Sequence, residues 1–349
     1  MTSLSTWFRE RIPVHGDQLR ELTNEPVPNH LRHWWFCLGG TPAYLFVVQI
    51  ATGILLGFYY QPAPSTAYDS VRYITEEASY GWYFRSVHKW AATLMIAAVI
   101  LHQMRVFFTG AYRRPRELNW MIGMCLLLCT LLLGFTGYSL VYEQLSFWGA
   151  TVGANIAEST PLVGGFVKQM MLGGEVYNDR TLSRFFILHG AILPVTVTVL
   201  LAMHVTLIRL QGVTQLKFKR DEGRGAEHFN FFPDHFYTEL TIGLVLMVLL
   251  SALATVLPAN LGPRADPLTT PEHIKPEWFF YVMFRWLKLF SRTAALLSAG
   301  LILFLMFCWP FVDAWIRRRR AGSEASVWIG IAGACAIIGL TVWEALAEH

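Results

Sequence analysis

Apolar positions in this chain cluster in long blocks instead of alternating residue by residue. Stretches free of Asp, Glu, Lys and Arg run over 34–68, 118–142, 185–208, 240–263, 293–312 and 325–343. A seventh, 90–104, is shorter, but its helical pattern extends back to about residue 80 through Arg85 and Lys89. A membrane-crossing helix needs roughly 17–25 mostly apolar residues, which each extended block supplies. No period-two patterning competes, so the pattern predicts an all-α integral membrane protein with seven spans. The first is expected at about 34–59 and the second at about 80–109. The preceding segment, 1–33, is polar with scattered Trp7 and Phe8 and lacks the apolar core of a signal peptide. It is expected to lie on the membrane surface.

Between the third and fourth spans, 143–184 contains apolar patches such as 161–167. Between the fifth and sixth, Pro276-Glu277-Trp278-Phe279-Phe280 leads into 281–284, too short to span, which predicts a helix lying in the interface. A polar, charged break at about 212–230 is the best domain boundary. It divides a four-helix unit (1–212) from a three-helix unit (213–349).

Composition agrees. The chain is 54% hydrophobic and 15% charged, against roughly 25% charged in soluble domains. That excludes an ordinary soluble domain and a disordered chain. The net charge of +4 is dispersed, which gives no footprint for nucleic acid. Five cysteines, mostly inside apolar runs, imply no disulfide framework, and no C-x-x-C-H motif is present. With seven spans, 17 Lys and Arg fall on the side of the N-terminus and 10 on the other, Arg317–Arg320 being the clearest cluster. This predicts a cytoplasmic N-terminus and an external C-terminus, in a bacterial cytoplasmic membrane.

Four histidines lie inside the spans. His88 and His102 are 14 residues apart on the second span, and His189 and His204 are 15 apart on the fourth. At 1.5 Å and 100° per residue these steps are about 21 and 22 Å long and return to within about 40° and 60° of their starting direction. Both spans run from outside to inside, so His88 matches His189 in depth near the outer face, and His102 matches His204 near the inner face. A single membrane histidine is usually a hydrogen-bonded structural residue. Two depth-matched pairs are harder to explain that way, because ionisable groups are costly in a membrane. Imidazoles facing each other across a bundle suit a planar metal macrocycle with one axial bond from each Nε2. Two stacked haems would form an electron wire. Zinc fits less well, since it takes four ligands and neither span offers Cys, Asp or Glu at those depths.

Gly39 and Gly53 on the first span and Gly123 and Gly137 on the third repeat the 14-residue step. Small-residue helix packing would explain them. The register shared with the histidines favours clearance for a macrocycle edge. Arg85 and Lys89 at the outer depth, and Arg105 and Arg116 at the inner, are candidates for pairing with haem propionates or for snorkelling to the interface.

These residues resemble the cytochrome b family of Rieske/cytochrome b complexes. The likeness rests on Arg85-Ser86-Val87-His88-Lys89-Trp90, Arg113-Arg114-Pro115-Arg116-Glu117-Leu118, Thr136-Gly137-Tyr138-Ser139-Leu140, the histidine pairs and Pro276-Glu277-Trp278, and covers nearly the whole chain. The 15-residue step and Phe36-Cys37-Leu38-Gly39-Gly40 are similar to the branch typified by chloroplast cytochrome b6, here fused to the three-helix subunit four. The resemblance implies a quinol:acceptor oxidoreductase working by a Q cycle. Quinol is oxidised near the outer face. One electron passes to a Rieske iron–sulfur partner and on to a c-type cytochrome, the other across two b haems to a quinone near the inner face. It further implies a homodimer within a multisubunit complex, and a covalent c-type haem on Cys37 with Arg209 at its propionate. By itself, a lone Cys at a helix start is an ordinary small residue.

Glu277 is the expected proton acceptor for quinol, in the apolar surround of Trp278, Phe279 and Phe280. Without the family, a capping or interface carboxylate is the reading. Pro276, Glu277, Trp278, Phe279 and Tyr142 are expected at the quinol pocket. Two positions depart from the family pattern: Phe279 stands where it has Tyr, and Val141-Tyr142-Glu143-Gln144 where the chloroplast-like branch has Pro-Trp-Asp-Gln. A dihaem membrane anchor of another dehydrogenase would leave the last three spans unexplained. A transporter or channel would leave the histidines unexplained. A retinal protein would need a lysine in 325–343, and a pure scaffold would not need the buried histidines.

Overall fold

The computed structural model describes residues 26–28, 31, 38–214, 216, 228–272 and 274–347. Most of them are helical. Drawn with the C-terminus uppermost, α1 (Gly40–Gly57) rises, and α2 (Ala67–Glu76) lies across the top. Next, α3 (Gly81–Phe108) descends and α4 (Glu117–Ser139) rises. Two short helices, α5 (Gln144–Glu158) and α6 (Gly164–Leu172), cap the upper end. The next descending rod is α7 (Asp179–Ile187), a π-helical turn at Leu188–Ile192 and α8 (Leu193–Gln211). In the C-terminal part, α9 (Phe236–Val256) rises, and the short α10 (Tyr281–Leu289) follows a 3₁₀ turn at Trp278–Phe280. The chain then descends through α11 (Arg292–Phe307) and α12 (Trp309–Arg319) and rises again in α13 (Ala325–Leu346).

Among the described residues, six helices are long and apolar enough to cross a membrane, and α11 with α12 make a seventh candidate that is bent by 69°. The expected sixth span is therefore not one straight helix. The break falls at Cys308, ahead of Pro310, whose ring cannot continue the hydrogen-bond ladder. The segment 1–33, expected on the membrane surface, lies outside the described residues except for 26–28 and Leu31, as do the first turn expected for span one (34–37) and most of the inter-domain break. One small element has no periodic signal in the sequence. β1 (Pro26–Pro28) pairs antiparallel with β2 (His228–Asn230), and Val27 and Phe229 bury together. Three residues are too few to show alternation.

Loop residues set the ends of the upper helices. Asn178 caps α7, accepting from the Arg180 amide at 2.9 Å while its own amide meets Thr181 Oγ1 at 3.0 Å. Gly173 closes α6 in the left-handed conformation, φ 78°. Glu143 and Ser146 form a reciprocal box at the start of α5.

The core between the two ends is apolar. Leu45 and Phe46 of α1, Ala91, Met95 and Ala98 of α3, Val197 of α8 and Leu250 of α9 form one buried cluster. A lower cluster of Tyr112, Trp120, Met124 and Trp309 seats the α11–α12 bend on α4. Trp120 Nε1 donates to the Met306 carbonyl at 2.7 Å. On the same side, buried Asp313 receives Arg113 Nε at 2.9 Å and the Ser326 hydroxyl. Burial opposes the charge on Arg113, but the hydrogen bond and charge of Asp313 win and hold it above its ordinary pKa.

Above α9, residues 257–269 form a strap across the upper ends of α2, α3 and α5. Trp90 Nε1 donates to Leu257 O at 2.8 Å, and Ser86 Oγ accepts from the Ala259 amide at 2.9 Å. Glu143 Oε2 accepts from the Gly262 amide at 2.7 Å, and Tyr68 donates to Gly262 O at 2.8 Å. Arg264 pairs with Asp69 at 3.1 Å, and the side chain of Gln144 reaches Asp266 and Thr269.

Candidate redox centre

Histidine placement follows from the rods. His88 sits two turns into α3, with His102 near its lower end. His189 lies inside the π turn and His204 in α8. The structure brings them together in two pairs. His88 and His189 have ring centroids 6.2 Å apart at an interplanar angle of 72°, and His102 and His204 are 6.4 Å apart at 75°.

The π turn explains how a 15-residue step on one rod matches a 14-residue step on the other. A π turn holds one residue more than an α turn, so the surplus is taken up between Leu188 and Ile192. There the Leu193 amide bonds back to Leu188 O, an i to i−5 closure. Pro194 follows directly; it has no N–H to give to an α ladder, and its ring would crowd the carbonyl four residues back. The step on this rod thereby ends in the direction of a 14-residue step, about 40° from its start, and matches the step on α3.

In the upper pair, hydrogen bonds fix the orientation of both rings. Thr52 Oγ1 lies 2.8 Å from His88 Nδ1, and the Thr52 hydroxyl proton is already given to Val48 O at 2.7 Å. Nδ1 is therefore the donor, and Nε2 keeps its lone pair. His189 repeats this arrangement. Its Nδ1 lies 3.1 Å from Leu133 O and 3.2 Å from Thr136 Oγ1, whose proton goes to Leu132 O at 2.8 Å. Such partners to the second ring nitrogen are what orient a metal-ligating histidine. Thr52 and Thr136 were missed by sequence reasoning. The signal was a Thr-Gly dipeptide at 52–53 and again at 136–137, one on each flanking helix. The lower pair is less tightly set: Arg105 Nη2 stands 3.3 Å from His102 Nδ1.

Each histidine has its own glycine. A Cβ on Gly53 would stand 3.3 Å from His88 Cε1, and one on Gly39 3.4 Å from His102 Cε1. On Gly137 it would stand 2.6 Å from His189 Cε1, and on Gly123 3.7 Å from His204 Cε1. The open space expected for a macrocycle edge lies, in the structure, against the imidazoles.

This arrangement fits a bis-histidine metal macrocycle. Imidazole nitrogens about 2 Å from a shared metal on opposite faces put their ring centroids roughly 6 Å apart. The observed separations are of that size. The locked Nδ1 atoms of the upper pair leave both Nε2 atoms free to ligate.

The cations are more varied. Arg85 donates to the Ala259 and Asn260 carbonyls, so it holds the strap. Lys89 is exposed beside it. Arg116 donates to Gln211 O and Gly212 O, covering the lower end of α8. Arg209 lies over the Phe231 ring at 5.1 Å. Cys37 lies outside the described residues.

Glu277 is half-buried and opens the 3₁₀ turn, its carbonyl accepting from the Phe280 amide at 2.9 Å. Trp278 meets Phe279 edge to face with centroids 5.7 Å apart, and Phe279 and Phe280 pack at a tilt 4.7 Å apart. Phe279 lies against Gly134, and Phe280 against Phe135, so this turn covers the upper end of α4. Tyr142 is buried at a left-handed φ of 55° and packs with Phe147 and Tyr177. Burial pushes the Tyr142 and Tyr177 phenols up, so both are neutral at physiological pH.

Comparison with known proteins gives consistent results. A family model described as cytochrome b/b6/petB matches residues 22–212, and one described as cytochrome b (C-terminal)/b6/petD matches 264–345. The chain is 47% identical to cytochrome b6 of Heliomicrobium gestii over 208 residues, covering 60% of this chain and 98% of that one. It is 36% identical over 328 residues to the cytochrome bc complex cytochrome b subunit of Chlorobaculum thiosulfatiphilum, covering 92% of this chain and 75% of that one. Its fold is similar to a chain of a solved hyperthermophilic respiratory Complex III, with a TM-score of 0.79, 24% identity and 97% of each chain covered.

Proposed function

This chain belongs to the cytochrome b/b6 family, as the cytochrome b subunit of a bc-type complex, and from that premise we propose how its residues support electron transfer between a quinol and a quinone. The two facing histidine pairs carry the reading. His88 and His189 would hold the upper b haem, and His102 and His204 the lower. When bound, the two haems supply one-electron redox centres stacked through the membrane. Thr52, Thr136 and the Leu133 carbonyl keep the upper Nδ1 atoms protonated, which directs each Nε2 lone pair inward. Ligation by His102 would need the same tautomer, with Nδ1 protonated, which would free Arg105 for a propionate.

Quinol oxidation belongs at the upper end, which is the outer face by the distribution of Lys and Arg. There Glu277 takes a quinol proton, while Trp278, Phe279 and Phe280 exclude water from it. Tyr142, packed on Phe147 and Tyr177, belongs to the same upper end. A Rieske iron–sulfur protein receives one electron and passes it to a c-type cytochrome. Quinone is reduced at the lower, cytoplasmic end. At that end Cys37 would hold a covalent c-type haem, with Arg209 available to a propionate. The complex is a homodimer in a bacterial cytoplasmic membrane. The test is a reduced-minus-oxidised spectrum with haem quantitation of wild type and His204→Leu. Wild type should show two bis-histidine b haems, and the variant should lose the lower one alone. Two b haems retained in His204→Leu would refute the pairing.

A further inference from the structure

Glu344 is fully buried near the upper end of α13, on a helix otherwise apolar from 325 to 343. A carboxylate there costs several kcal/mol unless it is paired. Two cations of α10, the helix that follows the Glu277 turn, pair with it. Arg285 Nε lies 2.8 Å from Glu344 Oε2, and Lys288 Nζ 3.1 Å from Oε1. Arg285 is itself buried and stacks over Trp343, 4.5 Å from the ring centroid. The other flank of the turn is tied to the same helix end, since Lys275 Nζ donates to Ala347 O at 2.7 Å. A fourth tie, from Trp286 Nε1 to Ser298 Oγ at 2.9 Å, fixes α10 against α11.

Residues 276–280 are thus clamped on both sides by the last helix, through one carboxylate and one carbonyl. A well-packed apolar contact would hold two helices together at lower cost than a buried ion triad. A triad, however, fixes rotation and register, because two cations one turn apart on α10 must both reach the same carboxylate. The turn's position over α4 depends on that register, since Phe279 and Phe280 meet Gly134 and Phe135.

We propose that Glu344 is a positioning residue for quinol oxidation: through Arg285 and Lys288 it sets where Glu277 and Trp278 stand at the quinol pocket. This rests on the role given to Glu277 above. Displacement of a binding wall on the ångström scale costs one to two orders of magnitude, so Glu344→Gln should raise the quinol KM by about tenfold. Lys288→Met, which leaves the Arg285 pair, should raise it by roughly threefold, and Glu344→Asp should fall between wild type and Glu344→Gln.

The experiment uses the purified complex with its partner subunits and a short-chain analogue of its own quinone in the reduced form. It records KM, kcat, both haem spectra and the melting temperature, with Glu277→Gln in parallel. A raised KM with unchanged haem spectra supports the proposal. An unchanged KM in all three variants, or a lowered melting temperature with KM unchanged, overturns it. If Glu344→Gln does not accumulate, Lys288→Met decides by the same criterion. Should Glu277→Gln keep full turnover while Glu344→Gln raises KM, the role of Glu277 fails and the positioning stands. If Glu277→Gln slows turnover while KM is unmoved in the other variants, the positioning alone fails.

Discussion

Replacing the four glycines one at a time by alanine tests the haem geometry with a built-in control. The distances from each new Cβ to imidazole Cε1 are 2.6 Å at Gly137, 3.3 Å at Gly53, 3.4 Å at Gly39 and 3.7 Å at Gly123. Carbon atoms rest at about 3.5–4.0 Å, so Gly137→Ala must push the His189 ring by roughly 1 Å. Metal–nitrogen distances tolerate only about 0.2 Å. That ring is also held by Leu133 O and Thr136 Oγ1 and has no slack. Gly137→Ala should therefore lose the upper haem and add an overpacking cost of about 1–3 kcal/mol. Gly53→Ala and Gly39→Ala need shifts of only a few tenths of an ångström, and should keep both haems with altered midpoint potentials. Gly123→Ala meets no crowding and gains helix propensity of up to about 1 kcal/mol, so it should be silent or mildly stabilising. The assay is pyridine haemochrome quantitation together with a reduced-minus-oxidised spectrum of each purified variant. Loss of the lower haem in Gly123→Ala, as complete as the loss of the upper haem in Gly137→Ala, would refute the steric argument. The glycines would then be clearing a macrocycle edge and not an imidazole.

Three further outcomes are expected. Glu277→Gln should slow quinol oxidation by about 10²-fold or more with both haem spectra intact, as befits loss of a general base; unchanged turnover would remove Glu277 from the chemistry. On a denaturing gel stained for haem peroxidase activity, the wild-type chain should stain and Cys37→Ser should not; an unstained wild-type chain from a host able to mature the site would exclude the thioether. Deleting Ala191 together with Pro194→Ala should convert the π turn to continuous α-helix and leave a 14-residue step, so both b haems should remain; loss of either one would show that the π turn does more than absorb a residue.

The histidine pairs were legible because a helix converts a 14-residue step into direction and depth with little error, whatever surrounds it. The 15-residue step was harder, since nothing but Pro194 signals where the surplus is absorbed. Thr52 and Thr136 were readable as a repeated dipeptide, but a threonine inside a span has an ordinary use in returning its proton to its own helix, and both do that as well. Arg85 was read by depth as a partner for a propionate or for the interface; in the structure it donates to the strap, 174 residues away in sequence. No local pattern encodes such a distant carbonyl. Glu344 was passed over because the apolar block ends at Trp343, which puts the next residue in the interface by hydropathy alone. Its burial depends on α10 coming to meet it with Arg285 and Lys288. The bend at Cys308 was signalled by Pro310, but its size depends on how Trp309 seats against Tyr112 and Trp120.

The strap also changes how the covalent continuity of the chain should be viewed. It joins residues 257–269 to α2, α3 and α5 by backbone and side-chain bonds at the top. Asp313 and Met306 make the matching connection below. Two pieces held at both ends in this way have little further use for a peptide link between them. Joining two pieces in one chain contributes mainly an effective concentration, on the order of millimolar for a short linker, which helps the pieces to find each other but adds nothing to the finished contact. Residues 213–227 would then serve assembly more than stability. A gene interrupted there would cost the cell the coordination of two insertions, while the product folded to the same end. The cytochrome b6 of Heliomicrobium gestii, matched along 98% of its length by 60% of this chain, has the extent of the first piece alone.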